Sequence, residues 1–327
     1  MKAIIIDEPG GPEVLKWQET PDPTPRPNEL LVRVHAAGLN RADLIQRRGF
    51  YPPPPGASPI LGMEIAGEIL EVGANCGTGW KPGQRVMALL GGGGYAEKAA
   101  FPAVHAMRLP DNLSYEEGAA IPEAFLTAYL NLFVLGELKP GQTVLVHAGG
   151  SGVGSAAIQL AREAGATVFV TAGSTDKLER CRELGATGLI NYKTDKFADK
   201  VKEWTKGQGV NLILDFIGAD YFADNLASLA LYGKIALIGQ LSGGKAELDL
   251  GLVMRQRLRI TGTTLRPRTV EEKADLTKKV IDFALPRFAD GRLRPVIDTV
   301  FPIDQAAEAH RYMETNQNFG KIVLKVD

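Results

Sequence analysis

A glycine-rich turn in the middle of the chain has the composition of a phosphate-binding site. The turn is the segment 147–154, HAGGSGVG, which follows the apolar run Val144–Val146 and leads into a predicted helix from Val153 to Ala164. Backbone N–H groups and the positive end of a helix dipole bind anions at such a turn. The strict dinucleotide fingerprint is not met, because Ser151 stands at its middle glycine.

The end of the next predicted strand, Thr167–Thr171, indicates which dinucleotide would bind. The strand follows at the spacing of a βαβ unit, which favours a nucleotide site over a plain tight turn. NAD-binding proteins usually carry Asp or Glu here for the ribose 2′-hydroxyl, whereas this chain has Gly173, Ser174 and Lys177. A hydroxyl and an ammonium group favour the 2′-phosphate of NADPH, although Ser174 is also explained as a helix cap.

The chain around this turn divides into two regions that differ in composition and in predicted secondary structure. Up to about residue 120 it is rich in Gly, Pro and short β-type runs, and from Thr143 strands alternate with helices, as in a doubly wound parallel sheet. We expect a long helix, Val270–Asp290, and a last strand, Lys321–Val326, that pairs back into the first domain. The other predicted strands are Lys2–Ile6, Glu29–Ala36, Glu64–Val72, Arg85–Leu89, Ala96–Pro102, Val144–Ala148, Leu189–Asn191, Leu212–Phe216, Ile235–Ile238 and Arg259–Gly262.

Length and charge limit the classes of protein. With 327 residues the chain fits two domains, which we place at 1–124 with 267–327 and at 125–266. A net charge of -1 gives no basic field, so neither nucleic acid nor an anionic membrane is an expected partner, and no apolar stretch approaches transmembrane length. Two cysteines, Cys76 and Cys181, form no disulfide framework and suit the cytoplasm.

Two other chemistries are disfavoured by the residues. The segment Gly239–Ala246 approaches a Walker P-loop, but Ala246 stands where Ser or Thr must hold Mg²⁺. The histidines, His35, His105, His147 and His310, are scattered without the spacing of metal ligands. We therefore expect neither a nucleoside triphosphatase nor a metal site.

Several longer stretches resemble the medium-chain dehydrogenase/reductase superfamily, in its zinc-free quinone oxidoreductase branch typified by zeta-crystallin. The resemblance covers essentially the whole chain, and its longest shared stretches resemble NADPH quinone oxidoreductases induced by a tumour suppressor. Its marks are the glycine turn, Gly10–Leu15, Ala37–Asp43, Pro59–Gly67, Asn211–Asp215 and Gly320–Leu324.

The chain departs from zinc-dependent relatives where these carry metal ligands. Asn40 lies in the region of their catalytic cysteine, and Gly62-Met63-Glu64 stands where they have Gly-His-Glu. Methionine does not replace histidine as a zinc ligand in such a site. The resemblance therefore implies hydride delivery to an already electrophilic acceptor, a small ortho-quinone, and an enzyme built from a Rossmann domain and a discontinuous, mostly β GroES-like catalytic domain.

The resemblance also implies which residues act. Asn40 and Asp43 would border the nicotinamide, and Tyr51 would be a phenolic donor to the quinone oxygen or only an aromatic wall. NADPH would lie across the carboxyl ends of the parallel strands. The residues expected to bind it are Asn40, Thr127, Gly150, Ser151, Gly152, Val153, Gly173, Ser174, Lys177, Tyr192, Phe216, Gly239, Gln240, Leu265 and Asn318.

Two further functions remain open from the sequence. One is the reduction of a conjugated C=C bond in an alkenal or enone, and the other is a structural or RNA-binding role of a nucleotide-binding protein. The family also implies a homodimer, joined through a strand edge near Ile235–Gly239 or Arg259–Thr263.

Overall fold

The computed structural model describes residues 1–326, which divide into two compact units. The central unit is the continuous segment Thr127–Thr264. The discontinuous unit combines residues 1–126 with the chain from Leu265 onward. None of the helices within residues 1–326 combines the length and apolar character needed to cross a membrane.

The elements are numbered in chain order. The strands are β1 Lys2–Ile5, β2 Lys16–Glu19, β3 Glu29–Leu39, β4 Glu64–Val72, β5 Arg85–Leu89, β6 Lys98–Pro102, β7 Ala106–Arg108, β8 Thr143–Val146, β9 Thr167–Ala172, β10 Gly188–Asn191, β11 Val210–Asp215, β12 Leu229–Leu237, β13 Arg259–Gly262, β14 Ile297–Pro302 and β15 Lys321–Lys325. The helices are α1 Arg41–Arg47, α2 Tyr115–Ala119, α3 Pro122–Tyr129, α4 Gly152–Glu163, α5 Thr175–Leu184, α6 Phe197–Trp204, α7 Ala219–Ser228, α8 Leu250–Gln256, α9 Val270–Ala289 and α10 Ala306–Glu314.

The central unit is a six-stranded parallel sheet of the predicted doubly wound type. Its strand order, β10-β9-β8-β11-β12-β13, is the order 3-2-1-4-5-6 of a dinucleotide-binding sheet. Leu145, Ile213 and Ile235 from three adjacent strands are fully buried in its core. The strand order reverses between β8 and β11, so ligands are expected at the carboxyl ends of these two strands.

One of the two predicted dimer edges is wrong. Strand β12, which contains most of Ile235–Gly239, pairs with β11 on one side and β13 on the other, so its backbone groups are already used. Strand β13 is the outer strand of the sheet on that side. Among the described strands of this end, only β13 therefore keeps an edge open for pairing.

The discontinuous unit is built on a seven-stranded, mostly antiparallel sheet. Its order is β14-β15-β3-β4-β5-β7, with β6 pairing along the other half of β3. The last strand, β15, pairs back into the first domain as predicted, and the structure shows that it is antiparallel to β3 with Ile322 opposite Leu39. The chain end therefore completes a sheet that the first hundred residues begin.

Strand β14 was not predicted from the sequence. The apolar and polar residues of Ile297–Pro302 do not alternate with the period of a half-buried strand, and most of these residues are half-exposed. Its pairing with β15 is what makes it a strand. Helix α9 matches its prediction, Val270–Asp290, to within one residue, and Gly291 ends it with a φ of +80°.

Candidate functional site

The turn between β8 and α4 has the geometry of a phosphate-binding site. Ser151 caps the helix, because its Oγ accepts the Gly154 N–H at 2.9 Å. A Cβ on Gly154 would lie 2.3 Å from the Ala148 carbonyl oxygen, so the tight turn requires glycine there. The N–H groups of Gly152 and Val153, at the first helical positions, have no acceptor within the helix and can bind an anion.

The end of β9 combines a small residue, a hydroxyl and an aromatic ring. A Cβ on Gly173 would lie 2.5 Å from the Tyr192 hydroxyl, so the absence of a side chain lets this ring pack against the strand end. Ser174 Oγ accepts the Lys177 N–H at 3.3 Å and caps α5. Capping uses an acceptor position of Ser174 and leaves its O–H as a donor. Tyr192, 47% exposed, borders this group from the end of β10.

The carboxyl ends of β11 and β12 lie against each other. A Cβ on Gly239 would lie 2.7 Å from the Phe216 carbonyl oxygen, and the Leu241 N–H donates to that oxygen at 3.3 Å. Asp215 Oδ1 accepts the N–H groups of Ile217 and Gly218 and thereby fixes the loop after β11. The structure thus brings Phe216, Gly239 and its neighbour Gln240 together at one edge of the sheet.

The remaining predicted cofactor residues are distributed over both units. Thr127 is buried in α3, where its carbonyl oxygen accepts a hydrogen bond from the Asn131 side chain at 2.8 Å. Leu265 and Asn318 belong to the discontinuous unit, and Asn318 Nδ2 donates to the Gly320 carbonyl oxygen at 2.9 Å.

A buried histidine connects three elements at the switch point of the central sheet. His147 Nε2 donates to Asn225 Oδ1 at 2.7 Å, and the Thr171 hydroxyl donates to His147 Nδ1 at 3.0 Å. Burial lowers the pKa of His147 to about 4, although the bond to Asn225 opposes this effect. His147 is therefore a neutral, hydrogen-bonded residue that links β8 to β9 and α7.

In the discontinuous unit, Asp43 is enclosed by donors at the start of α1. Its Oδ2 accepts the Asn40 N–H at 2.8 Å and the Tyr95 hydroxyl at 3.1 Å, and its Oδ1 accepts the Gly62 N–H at 3.3 Å. Burial raises the pKa of Asp43 to about 6, although these hydrogen bonds oppose the effect. The carboxyl group is fully buried. In this position Asp43 holds the backbone of Asn40 at the start of α1, and its expected place beside the nicotinamide stays a prediction.

The side chain of Asn40 lies between two buried charges. Lys321 Nζ donates to Asn40 Oδ1 at 2.6 Å, and Asn40 Nδ2 donates to Glu64 Oε1 at 2.9 Å. The same Lys321 and Glu64 atoms form an ion pair at 2.6 Å. Gly38 makes room for this group, because a Cβ there would lie 2.3 Å from Glu64 Oε1. The two charges fix the orientation of the amide. Because its other N–H donates to the Gly38 carbonyl oxygen at 3.4 Å, the amide keeps only one spare acceptor position.

Tyr51 is held by a residue that sequence reasoning missed. Arg266 Nη1 donates to the Tyr51 carbonyl oxygen at 3.3 Å, and the Arg266 Cζ lies 5.3 Å from the centroid of the Tyr51 ring. Burial raises the pKa of the Tyr51 phenol, and the Arg266 charge partly opposes this. Arg266 lies in a loop without a recognisable motif, so the sequence offered no signal for it.

Met63 and Glu64 lie where β4 begins. Met63 occupies the histidine position of their Gly-His-Glu segment, and the neighbouring carboxylate, Glu64, is paired with Lys321. Across residues 1–326 the structure contains no group of three or more His, Cys, Asp or Glu side chains arranged to hold a metal ion.

Two protein families match the chain by sequence. The alcohol dehydrogenase GroES-like domain matches residues 26–111, and the zinc-binding dehydrogenase family matches residues 152–283. Human quinone oxidoreductase is 33% identical over 328 residues, which cover 99% of this chain and 97% of that protein.

Solved structures of similar proteins agree with the fold. An NAD-dependent alcohol dehydrogenase superposes with a TM-score of 0.89 at 36% identity over 100% of both chains. Mycobacterial Rv1454c, solved in complex with NADPH, superposes with a TM-score of 0.88 at 32% identity over 99% of this chain and 100% of that chain. The CurK enoyl reductase superposes with a TM-score of 0.88 at 29% identity over 100% of this chain and 99% of that chain.

The fold and these relatives define an oxidoreductase with one Rossmann-type and one GroES-like unit. The chain belongs to the medium-chain dehydrogenase/reductase superfamily, in its zinc-independent quinone oxidoreductase branch. The family resemblance and the fold class inferred from the sequence are thus confirmed.

The burial of Asp43 predicts a specific pH dependence of stability. Because its pKa is about 6 when folded and 3.8 ordinarily, the folded protein holds a proton that the unfolded chain releases in this range. Its stabilising contribution is complete below pH 3.8 and is lost as the pH rises through 6. Relative to the wild type, Asp43→Asn should therefore gain about 3 kcal/mol of unfolding free energy between acidic and neutral pH.

Urea unfolding of both proteins at a series of pH values measures this difference. Tyr95→Phe removes a hydrogen bond that lowers the Asp43 pKa, so it should move the pH window upward. If the free energies of unfolding of wild type and Asp43→Asn differ by the same amount at every pH, the raised pKa of Asp43 is contradicted.

Proposed function

We propose that this protein is an NADPH-dependent quinone oxidoreductase that transfers a hydride to small, flat quinones. The observation that carries the proposal is the pair of sites at the carboxyl ends of β8 and β9. One is a capped helix N-terminus for the pyrophosphate, and the other is a strand end with Ser174 and Lys177 where NAD-binding proteins carry an acidic residue.

The residues of the central unit fit NADPH. Ser151 holds the start of α4 open to an anion through its cap to Gly154, and the Gly152 and Val153 N–H groups donate to the pyrophosphate. At the adenosine end, Ser174 O–H and the Lys177 ammonium bind the 2′-phosphate, and the Tyr192 ring contacts the adenosine. When bound, NADPH supplies the hydride. The mycobacterial relative solved with NADPH supports this choice.

Tyr51, in the discontinuous unit, is the proposed hydrogen-bond donor to the acceptor. Because burial raises the pKa of Tyr51, its phenol stays protonated at neutral pH and donates a hydrogen bond to the quinone oxygen, where negative charge develops. The neighbouring Phe50 is 81% exposed and offers an aromatic face to a flat acceptor. Asn40 offers the spare acceptor position of its clamped amide to the nicotinamide carboxamide.

Reduction of a conjugated C=C bond is the second candidate. A quinone and an enone are both flat and electron-poor, and both accept a hydride without polarisation by a metal. Similarity to the CurK enoyl reductase favours this alternative, and similarity to human quinone oxidoreductase favours the quinone. The decay of nicotinamide absorbance, measured with NADPH and either a small ortho-quinone or an alkenal, distinguishes them. Decay only with the alkenal would replace the quinone proposal.

The β13 edge also supports a homodimer. Strand β13 carries unpaired backbone groups on its outer side, and such an edge pairs readily with a second copy around a two-fold axis. The neighbouring helix α8 exposes Leu250 and Met254, which are 65% and 72% exposed. Exposed apolar side chains beside an open strand edge are typical of an interface.

Substitution of Lys177 tests the choice of cofactor. Lys177→Gln should raise the Kd for NADPH about tenfold, because one charge-assisted bond to the 2′-phosphate is lost. The Kd for NADH, which has no such phosphate, should not change. Fluorescence titration with both cofactors measures the two constants, and Lys202→Gln on the exposed face of α6 is the control. An equal loss of affinity for NADPH and NADH would show that Lys177 does not bind the 2′-phosphate.

Substitution of Tyr51 tests the donor role. Tyr51→Phe keeps the aromatic wall and removes the hydroxyl, so kcat for an ortho-quinone should fall about 100-fold while NADPH affinity is retained. The control is Tyr232→Phe, since this tyrosine lies in the central unit and is 59% exposed. Turnover by Tyr51→Phe at the wild-type rate would show that Tyr51 contributes only its aromatic ring and no hydrogen bond.

A charge on the β13 edge tests the dimer. Thr261→Lys should place like charges opposite each other across the two-fold axis and shift the sedimentation mass from dimer to monomer. Leu189→Lys, on the opposite edge strand β10, is the matched control and should leave the mass unchanged. A wild-type protein that sediments as a monomer would end the proposal.

A further inference from the structure

Three segments of the discontinuous unit meet at the guanidinium of Arg266. Its Nε donates to the Gly91 carbonyl oxygen at 2.9 Å, and its Nη1 donates to the Tyr51 carbonyl oxygen at 3.3 Å. Gly91 begins the four-glycine loop, and Tyr51 begins the proline-rich loop 51–55. A single cation thus ties both loops to the segment that follows β13.

This cation is almost fully buried. Arg266 is 5% exposed, and its Nη2 has no hydrogen-bond partner among the described residues. A buried guanidinium with an unsatisfied nitrogen is costly, so its retention calls for a role beyond packing.

The face of the Tyr51 ring receives the same cation. The Arg266 Cζ lies 5.3 Å from the ring centroid, within the range of a cation–π contact. Arg266 therefore contacts Tyr51 twice, through the backbone oxygen and through the ring.

We propose that Arg266 is a positioning residue that fixes the Tyr51 loop and places its positive charge over the Tyr51 ring, which strengthens the phenol as a donor. This inference rests on the proposed function only for the identity of the acceptor that Tyr51 serves.

The charges around Tyr51 set the sign of the effect. Arg266 lowers the pKa of the phenol, whereas burial and the Glu123 carboxylate raise it. Burial and, to a smaller extent, the charge of Arg266 lower the pKa of Lys273 on α9, and the charge of Arg266 also opposes the effect of burial on the pKa of Asp43. Removal of the Arg266 charge should therefore raise the Tyr51 pKa further and weaken the donor.

A fluorinated tyrosine makes this charge effect measurable without any reaction. In protein with 3,5-difluorotyrosine incorporated at position 51, ¹⁹F NMR follows the ionisation of that phenol near neutral pH. Arg266→Met should raise its pKa by about one unit. Arg266→Lys keeps the charge without the planar fork, so it should restore most of that shift. Arg268→Met, two residues away in an exposed pair with Glu272, is the control and should leave the pKa unchanged.

Quinone turnover tests whether Arg266 acts through Tyr51. Arg266→Met should lower kcat without changing the KM for NADPH, and adding Tyr51→Phe should cost little more than Tyr51→Phe alone. Independent, multiplicative losses would overturn the proposal, as would an unchanged ¹⁹F titration in Arg266→Met. If the wild type reduces no quinone, the proposed function fails, and the ¹⁹F titration alone still decides the role of Arg266.

Discussion

The discontinuous unit depends on a buried ion pair between Lys321 and Glu64. Each charge is tolerable inside the protein only because the other is present, and removing one partner of such a pair typically costs about 3–5 kcal/mol. The pair joins β15, from the end of the chain, to β4, and its two members hold the Asn40 amide from both sides. Helix α1 begins directly after Asn40. Inside this helix, Asp43 accepts a hydrogen bond from the Asn40 N–H and so holds the Asn40 backbone.

The two units prepare their chemistry in different ways. In the central unit, the phosphate site is mainly backbone, with N–H groups presented by the tight turn before α4 and capped by Ser151. In the discontinuous unit, the proposed chemistry would depend on side chains, above all Tyr51, and on the Arg266 charge that contacts it. A backbone site keeps its anion affinity through many substitutions, whereas a side-chain site changes with one. The unit that carries Tyr51 is therefore where acceptor preference can diverge among relatives of one fold.

The sequence predicted what depends on neighbouring residues. The six strands of the central sheet, the helix after the glycine turn and the cap at Ser174 all follow from patterns within about twenty residues. The enclosure of Asp43, the Lys321–Glu64 pair and the contact of Arg266 with Tyr51 were not predicted. Lys321 and Asn40 are separated by 281 positions in the chain, and Arg266 and Tyr51 by 215, so no local pattern brings them together. Strand β14 was missed for a related reason, since only its pairing with β15 defines it.

The position of β15 in the sheet also has a consequence for biosynthesis. Strand β15 lies between β14 and β3, so the sheet lacks an inner strand until residues 321–325 emerge from the ribosome. The central unit is continuous in sequence and can form while translation is still under way. Within the first 126 residues, β6 pairs with the Glu29–Arg33 half of this edge of β3, but the Ala36–Leu39 half stays unpaired until β15 forms, and an unpaired strand edge promotes aggregation. The Ala36–Leu39 stretch of β3 therefore needs protection from intermolecular pairing until β15 has been synthesised.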